Sequence, residues 1–303
     1  MEVNLEEALN FEAMGSSCRI ISKAASPLIE AAAKRVGQLE SLWSRFLPMS
    51  DISRLNSAGG IPVEVTTETI DLLRFSANAW RTTDGAFDPT LLPALTSFGY
   101  STSRTDPSNT TSLPPHVVPG GDPSRIRVDG CSVQFPAHLT IDPGGVGKGL
   151  AADIVATELH SSSGEGTLVE LGGDVSTSGH SPHGRWVVNV WDPYRTKTAH
   201  QIALQTGGVA TSSVCLRTWS TENGAKSHHL IDPVTHTPTR NGIISCTVIA
   251  GSAAWAEVFT KVAFAAHDIN MAEAQLNKFH LAALLTAEDG SERAVGNWEE
   301  FVI

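Results

Sequence analysis

The amino-acid sequence predicts an α+β fold, in which helices and strands occupy separate stretches of the chain and do not alternate regularly. Two observations favour this class. Apolar residues recur at helical spacing in two early segments, and short apolar runs separated by turn residues fill much of the second half of the chain. A chain of 303 residues can form one large domain or two intimately packed halves with a substantial core.

The first predicted elements are a strand and two helices. Residues 9–23 are predicted as one strand with a Gly-Ser break in its middle. Ser26 and Pro27 then provide the start of a helix whose apolar residues recur every three or four positions up to Trp43. The same spacing predicts a second helix from about Thr67.

The middle of the chain is predicted as a long loop followed by strands. Residues 101–125 are rich in Ser, Thr, Pro and Gly and have no periodicity, which indicates a mobile loop or an insertion. Strands are predicted at 126–135 and 138–142, before a glycine-rich turn and a helix at about 147–160. The remaining predicted elements are the strands TLVEL, WVVNVW, HQIALQ, HLID and ISCTVIAG, helices at 252–266 and about 270–279, and the strand LAALLTA.

Composition and charge exclude several classes of protein. The net charge is −11 and no Lys/Arg cluster is present, so we do not expect nucleic-acid binding. The four cysteines lie far apart, which excludes zinc-site spacing and favours reduced thiols. No apolar run is long enough to span a membrane. The N-terminal segment carries acids where an export signal has Lys or Arg, so a cytoplasmic chain without a signal peptide or lipid attachment is expected.

A glycine-rich segment, IDPGGVGKGLAAD at 141–153, has the composition of an anion site. Glycines let backbone N–H groups approach an anion closely, and a helix start and Lys148 add positive charge. This suits a phosphate or pyrophosphate. The segment is not a Walker loop, because no Ser or Thr follows the lysine, and its glycines lack the Rossmann spacing. An ordinary structural turn is the alternative.

Three further segments carry polar groups at the ends of predicted strands. In LVELGGDVSTSG, the carboxylate of Asp174 suits a ribose or flavin contact, or a turn cap. In VATSSV, Thr211 and Ser212 offer hydroxyls and turn N–H groups. In HHLIDPVTHTP, His229 is a candidate base with the Asp232 carboxylate nearby, although Asp-Pro is also a common turn.

Two more segments are ambiguous by themselves. DGAFDPTLLP at 84–93 is either a turn or a wall of a ligand cavity. On the predicted helix at 252–266, Glu257, Thr260 and Lys261 can share one face, because they lie three and four residues apart. Apolar neighbours indicate that this helix is largely buried, and a buried charged pair normally requires a satisfied or functional setting.

The order and spacing of these segments resemble the FAD:protein FMN transferases, the ApbE-type flavin transferases. The resemblance covers roughly residues 12 to 265, through MGSS, SDISRLN, GAFDPTLLP, IDPGGVGKGLAAD, LVELGGD, VATSS and HHLIDPVTHTP. It implies one domain over residues 1–303, whose two packed α+β halves enclose a central flavin-nucleotide cleft. It also implies that FAD is bound, that a Thr or Ser hydroxyl of an acceptor protein attacks its pyrophosphate, and that FMN is transferred as a phosphoester while AMP leaves.

The resemblance also implies roles for individual residues. His229 would serve as the base, with Asp232 nearby, and Lys148 would stabilise charge that develops on phosphorus. The residues that match FAD-contacting positions are Met14, Ser50, Phe87, Asp88, Gly144, Gly145, Lys148, Asp153, Glu170, Gly173, Asp174, Thr211 and Ser212.

The implied magnesium site departs from the family's pattern. The family has Asp and Thr one helical turn apart, beside a backbone carbonyl of the glycine block, which corresponds to Gly145 here. In this sequence Glu257 replaces the Asp and Lys261 falls where the Thr belongs. One hypothesis is that the Lys261 ammonium replaces part of the metal's charge, so that Mg²⁺ is weakened or dispensable. The other is that Thr260 becomes the ligand after a small register shift.

Two other functions remain open at the level of sequence. Water in place of the acceptor hydroxyl would make the chain an FAD pyrophosphate hydrolase that releases FMN and AMP. Loss of the metal ligands together with catalysis would instead leave an FAD-binding protein.

Overall fold

An eight-stranded antiparallel sheet organises the structure, a computed structural model that describes residues 7–194, 196–221, 224 and 226–303. The strands are β1 (Glu7–Ala13), β2 (Ser16–Ser22), β3 (Val63–Glu64), β4 (Arg127–Asp129), β5 (Ser132–Gln134), β6 (Thr167–Leu171), β7 (Asp174–Ser178), β8 (Trp186–Trp191), β9 (Thr198–Leu204), β10 (Gly207–Ser213), β11 (Thr218–Ser220), β12 (Lys226–His228), β13 (Ile243–Ala250), β14 (Ala282–Ala287) and β15 (Glu292–Val295). The large sheet has the order β1-β2-β6-β7-β10-β13-β14-β15. Smaller sheets are formed by β3-β5-β4, by β8-β9 and by β11-β12.

Helices cover one face of this sheet. They are α1 (Ser26–Trp43), α2 (Asp51–Ser57), α3 (Thr67–Thr82), α4 (Leu92–Ser97), α5 (Gly147–Ser163), α6 (Ala253–Ala265) and α7 (Ile269–Lys278), with short 3-10 turns at Pro123–Arg125, Pro143–Gly145 and Trp298–Glu300. The main core lies between the sheet and α1, α5 and α6. No helix within the described ranges combines the length and apolar character that crossing a bilayer requires.

The opposite face of the sheet is covered by the β8–β9 hairpin. Trp186, Val188 and Ile202 of the hairpin form a second core with Val209 of β10 and with Trp298. Because side chains alternate along a strand, β2, β6, β10, β13 and β14 contribute apolar residues to both cores. This alternation places neighbouring residues of one strand in two different environments.

The contact between α5 and α6 is closer than ordinary helix packing allows. A Cβ atom on Gly149 would lie 2.6 Å from the backbone oxygen of Ala253, so only glycine fits there. The carboxylate of Asp153 accepts hydrogen bonds from the N–H groups of Ala253 and Ala254, both at 2.9 Å, and from Ser176 Oγ at 2.7 Å. Asp153 therefore satisfies the free N–H groups at the start of α6 and ties that helix to α5 and β7.

The α+β class predicted from the sequence is confirmed, and so are the two early helices. Some predicted elements are wrong. Residues 9–23 form two strands and not one, because Met14 and Gly15 take φ values of 52° and 65° and make a tight hairpin turn. Residues 138–142 and the HLID segment contain no named strand, and residues 211–213 belong to β10 instead of to a turn.

Replacement of Gly149 by Ala tests the close packing of the two helices. The added methyl group would overlap the α6 backbone, so we expect the free energy of unfolding to fall by about 1–3 kcal/mol. Gly37 is a matched control, because it lies exposed in α1 with no atom within 4 Å of a Cβ. Gly37→Ala should raise the free energy of unfolding by about 0.5–1 kcal/mol. Denaturant titration measures both, and a shift of the same sign in the two variants would contradict the packing argument.

Candidate active site

A cleft of about 210 Å³ opens beside the turn between β1 and β2. Its walls come from segments that are far apart in the sequence. They include Met14 and Gly15, residues 43–46, residues 86–88, residues 142–145, Lys148, Arg217, residues 229–231 and Lys261. The long irregular segment after α4 contributes residues 103–105. The cleft thus brings the glycine-rich segment, the His229 segment and α6 together.

Basic side chains are concentrated in this cleft although the protein is acidic. Its lining contains Arg45, Arg104, Lys148, Arg217 and Lys261, whereas the net charge of the chain is −11. The sequence predicts that an anionic ligand must be bound locally by a few cations and backbone N–H groups. The cleft has the charge that such a ligand requires.

A buried ion cluster forms the floor of the cleft. The Nζ atom of Lys148 makes salt bridges to Asp174 and, at 3.0 Å, to Glu257 Oε1. Lys261 Nζ lies 3.3 Å from the same oxygen of Glu257, whose side chain is 1% exposed. The other carboxylate oxygen, Oε2, accepts the backbone N–H of Gly149 at 2.9 Å. Both oxygens of Glu257 are therefore engaged by groups of the chain.

The cluster shifts the pKa values of its members. Burial alone would raise the pKa of Glu257, but the charges of Lys148 and Lys261 and the N–H of Gly149 outweigh it and lower this pKa to about 2. Burial opposes the charge of Lys148, yet attraction to Asp174 and Glu257 raises its pKa. Burial and then the Glu257 charge raise the pKa of Asp174, and burial lowers the pKa of Lys261. Glu257 stays ionised and Lys148 stays protonated at neutral pH.

His229 lines the cleft as a neutral imidazole. Burial, followed by the nearby charges of Arg217 and Lys261, holds its pKa well below the ordinary value of 6.5. Its Nδ1 atom is buried and has no hydrogen-bond partner among the described residues. A neutral imidazole can accept a proton from a hydroxyl group that enters the cleft.

Arg217 is a cleft residue that sequence reasoning missed. Within the described ranges, its guanidinium makes no hydrogen bond or ion pair, whereas Arg45 lies 3.3 Å from Asp142 and Arg104 donates to the Leu216 carbonyl at 3.4 Å. The available signal was slight: Arg217 is the only basic residue between Ser212 and Lys226 in the sequence. A cleft-wall cation that no described residue pairs with is suited to a ligand anion.

Several predicted ligand residues lie together in the wall of this cleft. Met14, Phe87, Asp88, Gly144 and Gly145 all line it. A Cβ on Gly145 would lie 3.1 Å from the Phe87 ring, so glycine is what lets the two segments meet. Burial raises the pKa of the Asp88 carboxyl, although hydrogen bonds from the Thr90 hydroxyl and N–H act against this shift.

Three other predicted site residues have structural partners instead. Ser50 is the N-cap of α2, accepting the N–H of Ser53 at 3.0 Å and donating to the Ser44 carbonyl at 2.7 Å. Asp153 caps α6, as described above. Asp232 Oδ1 accepts the N–H groups of Val234 at 2.7 Å and Thr235 at 2.9 Å, so the turn alternative for Asp232 is realised. Neither Ser50, Asp153 nor Asp232 lines the cleft.

The remaining predicted residues lie on or across the large sheet. Glu170, Gly173 and Thr211 line a second cavity of about 160 Å³ on the face covered by the β8–β9 hairpin. Ser212, the next residue in β10, points to the opposite face, where its hydroxyl lies 2.7 Å from that of Thr260. The structure therefore does not bring Glu170, Gly173 and Thr211 into the cleft that contains Lys148.

The donor atoms expected for Mg²⁺ do not fit a metal site in this arrangement. Both Glu257 oxygens are engaged, and Thr260 Oγ1 donates to the Glu257 carbonyl at 2.7 Å while it contacts Ser212. Lys261 fills the space beside Gly145, where a Cβ would lie 3.7 Å from its Cε atom. No group of three or more His, Cys, Asp or Glu side chains suited to a metal occurs in the part of the chain that the structure describes. Mg²⁺ needs several oxygen ligands in near-octahedral geometry.

Comparison with known proteins gives consistent matches over most of the chain. The family model described as "ApbE family" matches residues 14–285. A FAD:protein FMN transferase of Vibrio cholerae is 26% identical over 273 residues, covering 88% of this chain and 81% of that protein. The Escherichia coli K12 protein of the same name is 25% identical over 262 residues, with coverage of 79% and 71%.

Solved structures match the fold closely. The ApbE protein from Thermotoga maritima superimposes with a TM-score of 0.85 at 26% identity, covering 98% of this chain and 99% of that one. The apo form of the Pseudomonas stutzeri flavinyl transferase ApbE superimposes with a TM-score of 0.78 at 21% identity, with coverage of 98% and 96%.

Acid denaturation tests the buried state of Glu257. Its pKa of about 2 lies below the ordinary 4.5, so its contribution to stability is present above pH 4.5 and is lost as pH falls towards 2. We expect the free energy of unfolding of the unmodified protein to fall over this window by about 3 kcal/mol more than that of Glu257→Gln. Denaturant titrations at several pH values measure this, with the exposed Glu299→Gln as control. Parallel curves for the unmodified protein and Glu257→Gln would contradict the assigned ionisation.

Proposed function

The chain belongs to the ApbE family, and on that premise we propose that it transfers FMN from FAD to an acceptor protein and releases AMP. The observation that carries the proposal is that Lys148 and His229 line the same cation-rich cleft. A pyrophosphate needs cations beside its oxygens, and an attacking hydroxyl needs a base. The relatives named FAD:protein FMN transferase support the same activity.

The proposed reaction is an in-line displacement on phosphorus. A Thr or Ser hydroxyl of the acceptor gives its proton to His229 while its oxygen attacks the phosphorus of the FMN half. The new phosphorus–oxygen bond forms as the bond to the AMP phosphate breaks, and AMP leaves. The proton on His229 is then released to the departing phosphate or to water.

We propose that the chain's own cations stabilise the charge that develops on the phosphate oxygens. Lys148 stays protonated and is held in place by Asp174 and Glu257. Arg217 is free to contact a ligand, since no described residue pairs with it. Because Lys148 is fixed before FAD arrives, it needs little rearrangement during the reaction.

The remaining site residues are assigned by position. Met14, Phe87, Asp88 and the glycines at 144 and 145 are proposed to hold the flavin half of FAD, because they form one continuous wall. Asp232 is proposed to act through the shape of the loop after His229, since its carboxylate caps the turn there. The Thr or Ser identity of the acceptor residue and a cytoplasmic location stay predictions from the sequence.

We propose that Lys261 supplies the positive charge that Mg²⁺ is expected to supply in relatives. Its ammonium group lies against Glu257 and its Cε atom lies beside Gly145, and these are two of the three expected metal-binding positions. The alternative ligand, Thr260, already donates its hydroxyl hydrogen to the Glu257 carbonyl. The donor set thus supports the lysine hypothesis over the threonine hypothesis, and no step of the proposed reaction requires a metal.

Incubation with FAD and a random-sequence peptide pool with one fixed central threonine tests the proposed activity. Mass spectrometry detects FMN-labelled peptide, and chromatography detects AMP. AMP together with labelled peptide supports transfer. AMP with free FMN would instead indicate hydrolysis, and intact bound FAD would indicate a binding protein.

His229→Ala should abolish most of this transfer. Loss of a general base typically lowers the rate by about 10²–10⁴-fold, while the affinity for FAD, measured by flavin fluorescence, should stay within about threefold. His228→Ala is the neighbouring control, because the His228 ring contacts the Thr239 carbonyl at 3.1 Å. Because the pKa of His229 is held well below the ordinary 6.5, the unmodified enzyme should keep its activity at pH 6.5 and lose it only at a clearly more acidic pH. Equal losses in the two variants would argue against the base role.

Chelation tests whether Lys261 replaces a metal ion. We expect the unmodified enzyme to keep full transfer in EDTA, because its fixed cation remains in place. The double variant Glu257→Asp/Lys261→Thr, which carries the family's own residues, should transfer only with added Mg²⁺. Strict dependence of the unmodified enzyme on Mg²⁺ would overturn the replacement.

A further inference from the structure

On the side away from β9, strand β8 pairs with no other strand of the described residues, and this free edge points its backbone groups outward. The N–H of Ala203 in β9 donates to the Phe301 carbonyl at 2.8 Å, and the Gln201 carbonyl accepts from Ile303 at 3.0 Å. These groups of β9 therefore point away from β8. In an antiparallel pair, the residues opposite them point away too. Those residues are Val187 and Asn189, whose backbone groups have no hydrogen-bond partner among the described residues.

The second cavity is a groove that runs along this free edge. One wall is the β8 segment, and the other is the outer face of the large sheet, with Arg19, Thr211 and Ser213. Apolar side chains are exposed on the same strand and just after it: Val187 is 51% exposed, Trp191 42% and Tyr194 64%. An edge strand with exposed apolar neighbours is a surface that another chain can bind.

The groove ends beside the cation-rich cleft. Leu216 lines the groove, and the next residue, Arg217, lines the cleft. Likewise, Gly173 lines the groove, and the next residue, Asp174, holds Lys148. A chain that lies in the groove therefore reaches the reacting phosphate by passing the segment that carries Arg217.

We propose that this groove binds the acceptor polypeptide as an added β-strand on the free edge of β8. The proposal rests on the transfer function proposed above, which requires a hydroxyl to enter the cleft from a second molecule. The bound segment is extended and pairs its backbone N–H and C=O groups with those of Val187 and Asn189. Its Thr or Ser follows the paired part and is delivered past Arg217 towards His229.

The charge of the groove also favours a polypeptide over a second nucleotide. Arg19 lies directly opposite Glu170 in the β2–β6 pair, and Asp192 lines the same groove. The groove therefore lacks the excess of cations that the cleft has. The N–H and C=O groups of alternate β8 residues point outward, and their spacing matches that of the backbone groups of an extended peptide.

Asn189→Pro tests the backbone contact with little disturbance of β8. Proline removes the outward N–H of residue 189, and this N–H is not part of the β8–β9 ladder. The probe is the threonine peptide that the pool assay labels best. We expect its KM to rise by about tenfold or more, with the affinity for FAD unchanged. Asn189→Ala keeps the N–H, so its KM for the peptide should rise far less than that of Asn189→Pro.

A second variant keeps the groove proposal testable if the proline variant does not fold. Trp191→Ala removes an exposed apolar contact, so we expect it to raise the KM for the peptide while the melting temperature stays unchanged. Suppose that the unmodified enzyme labels the peptide and that Asn189→Pro and Trp191→Ala label it with the same KM. The groove proposal is then overturned, while the transferase function stands. An unmodified enzyme that labels no peptide and releases no AMP would overturn both.

Discussion

The buried carboxylate of Glu257 is the group on which the arrangement of the site depends. It accepts the first-turn N–H of α5 at Gly149, and it pairs with the ammonium groups of Lys148 and Lys261. An unpaired carboxylate at this depth would cost several kcal/mol, so each of these contacts is needed for the group to stay ionised. In return, the carboxylate fixes two lysines that would otherwise be flexible, and it joins α5 to α6 at the level of the glycine-rich segment.

The large sheet separates two functions that the proposed reaction needs. Its helix-covered face carries the cleft with the cations and His229, whereas its other face carries the groove along β8. The groove is lined by Gly173 and Leu216, and the residues that follow them, Asp174 and Arg217, respectively hold Lys148 of the cleft and line the cleft. Donor and acceptor could therefore approach from opposite sides and meet at Arg217 without competing for space.

Local sequence patterns made many helices and strands predictable. Contacts between residues that are distant in sequence could not be predicted from them. Helical spacing and the glycines before Lys148 are local signals that extend over only a few residues. They were therefore sufficient to predict α5 and the position of Lys148 at its start. In sequence, Asp153 resembles a ligand residue. Its hydrogen-bond donors at the start of α6 lie a hundred residues later, at Ala253 and Ala254, and no local pattern indicates them. Ser50 illustrates a second difficulty, since a short polar side chain can cap a helix or contact a ligand. The residues around Arg217 form no recognisable motif, so its position in the cleft becomes evident only from the folded structure.

The contact between Lys261 and Glu257 has a consequence for how the enzyme matures. A divalent ion must be captured from the surrounding solution after folding and can be withdrawn again by stronger chelators. A lysine ammonium is encoded in the polypeptide and arrives with it, so under the proposed replacement the site would be electrostatically complete once α6 docks. Activity would then be insulated from fluctuations in free magnesium, and each newly made molecule would be competent without a loading step.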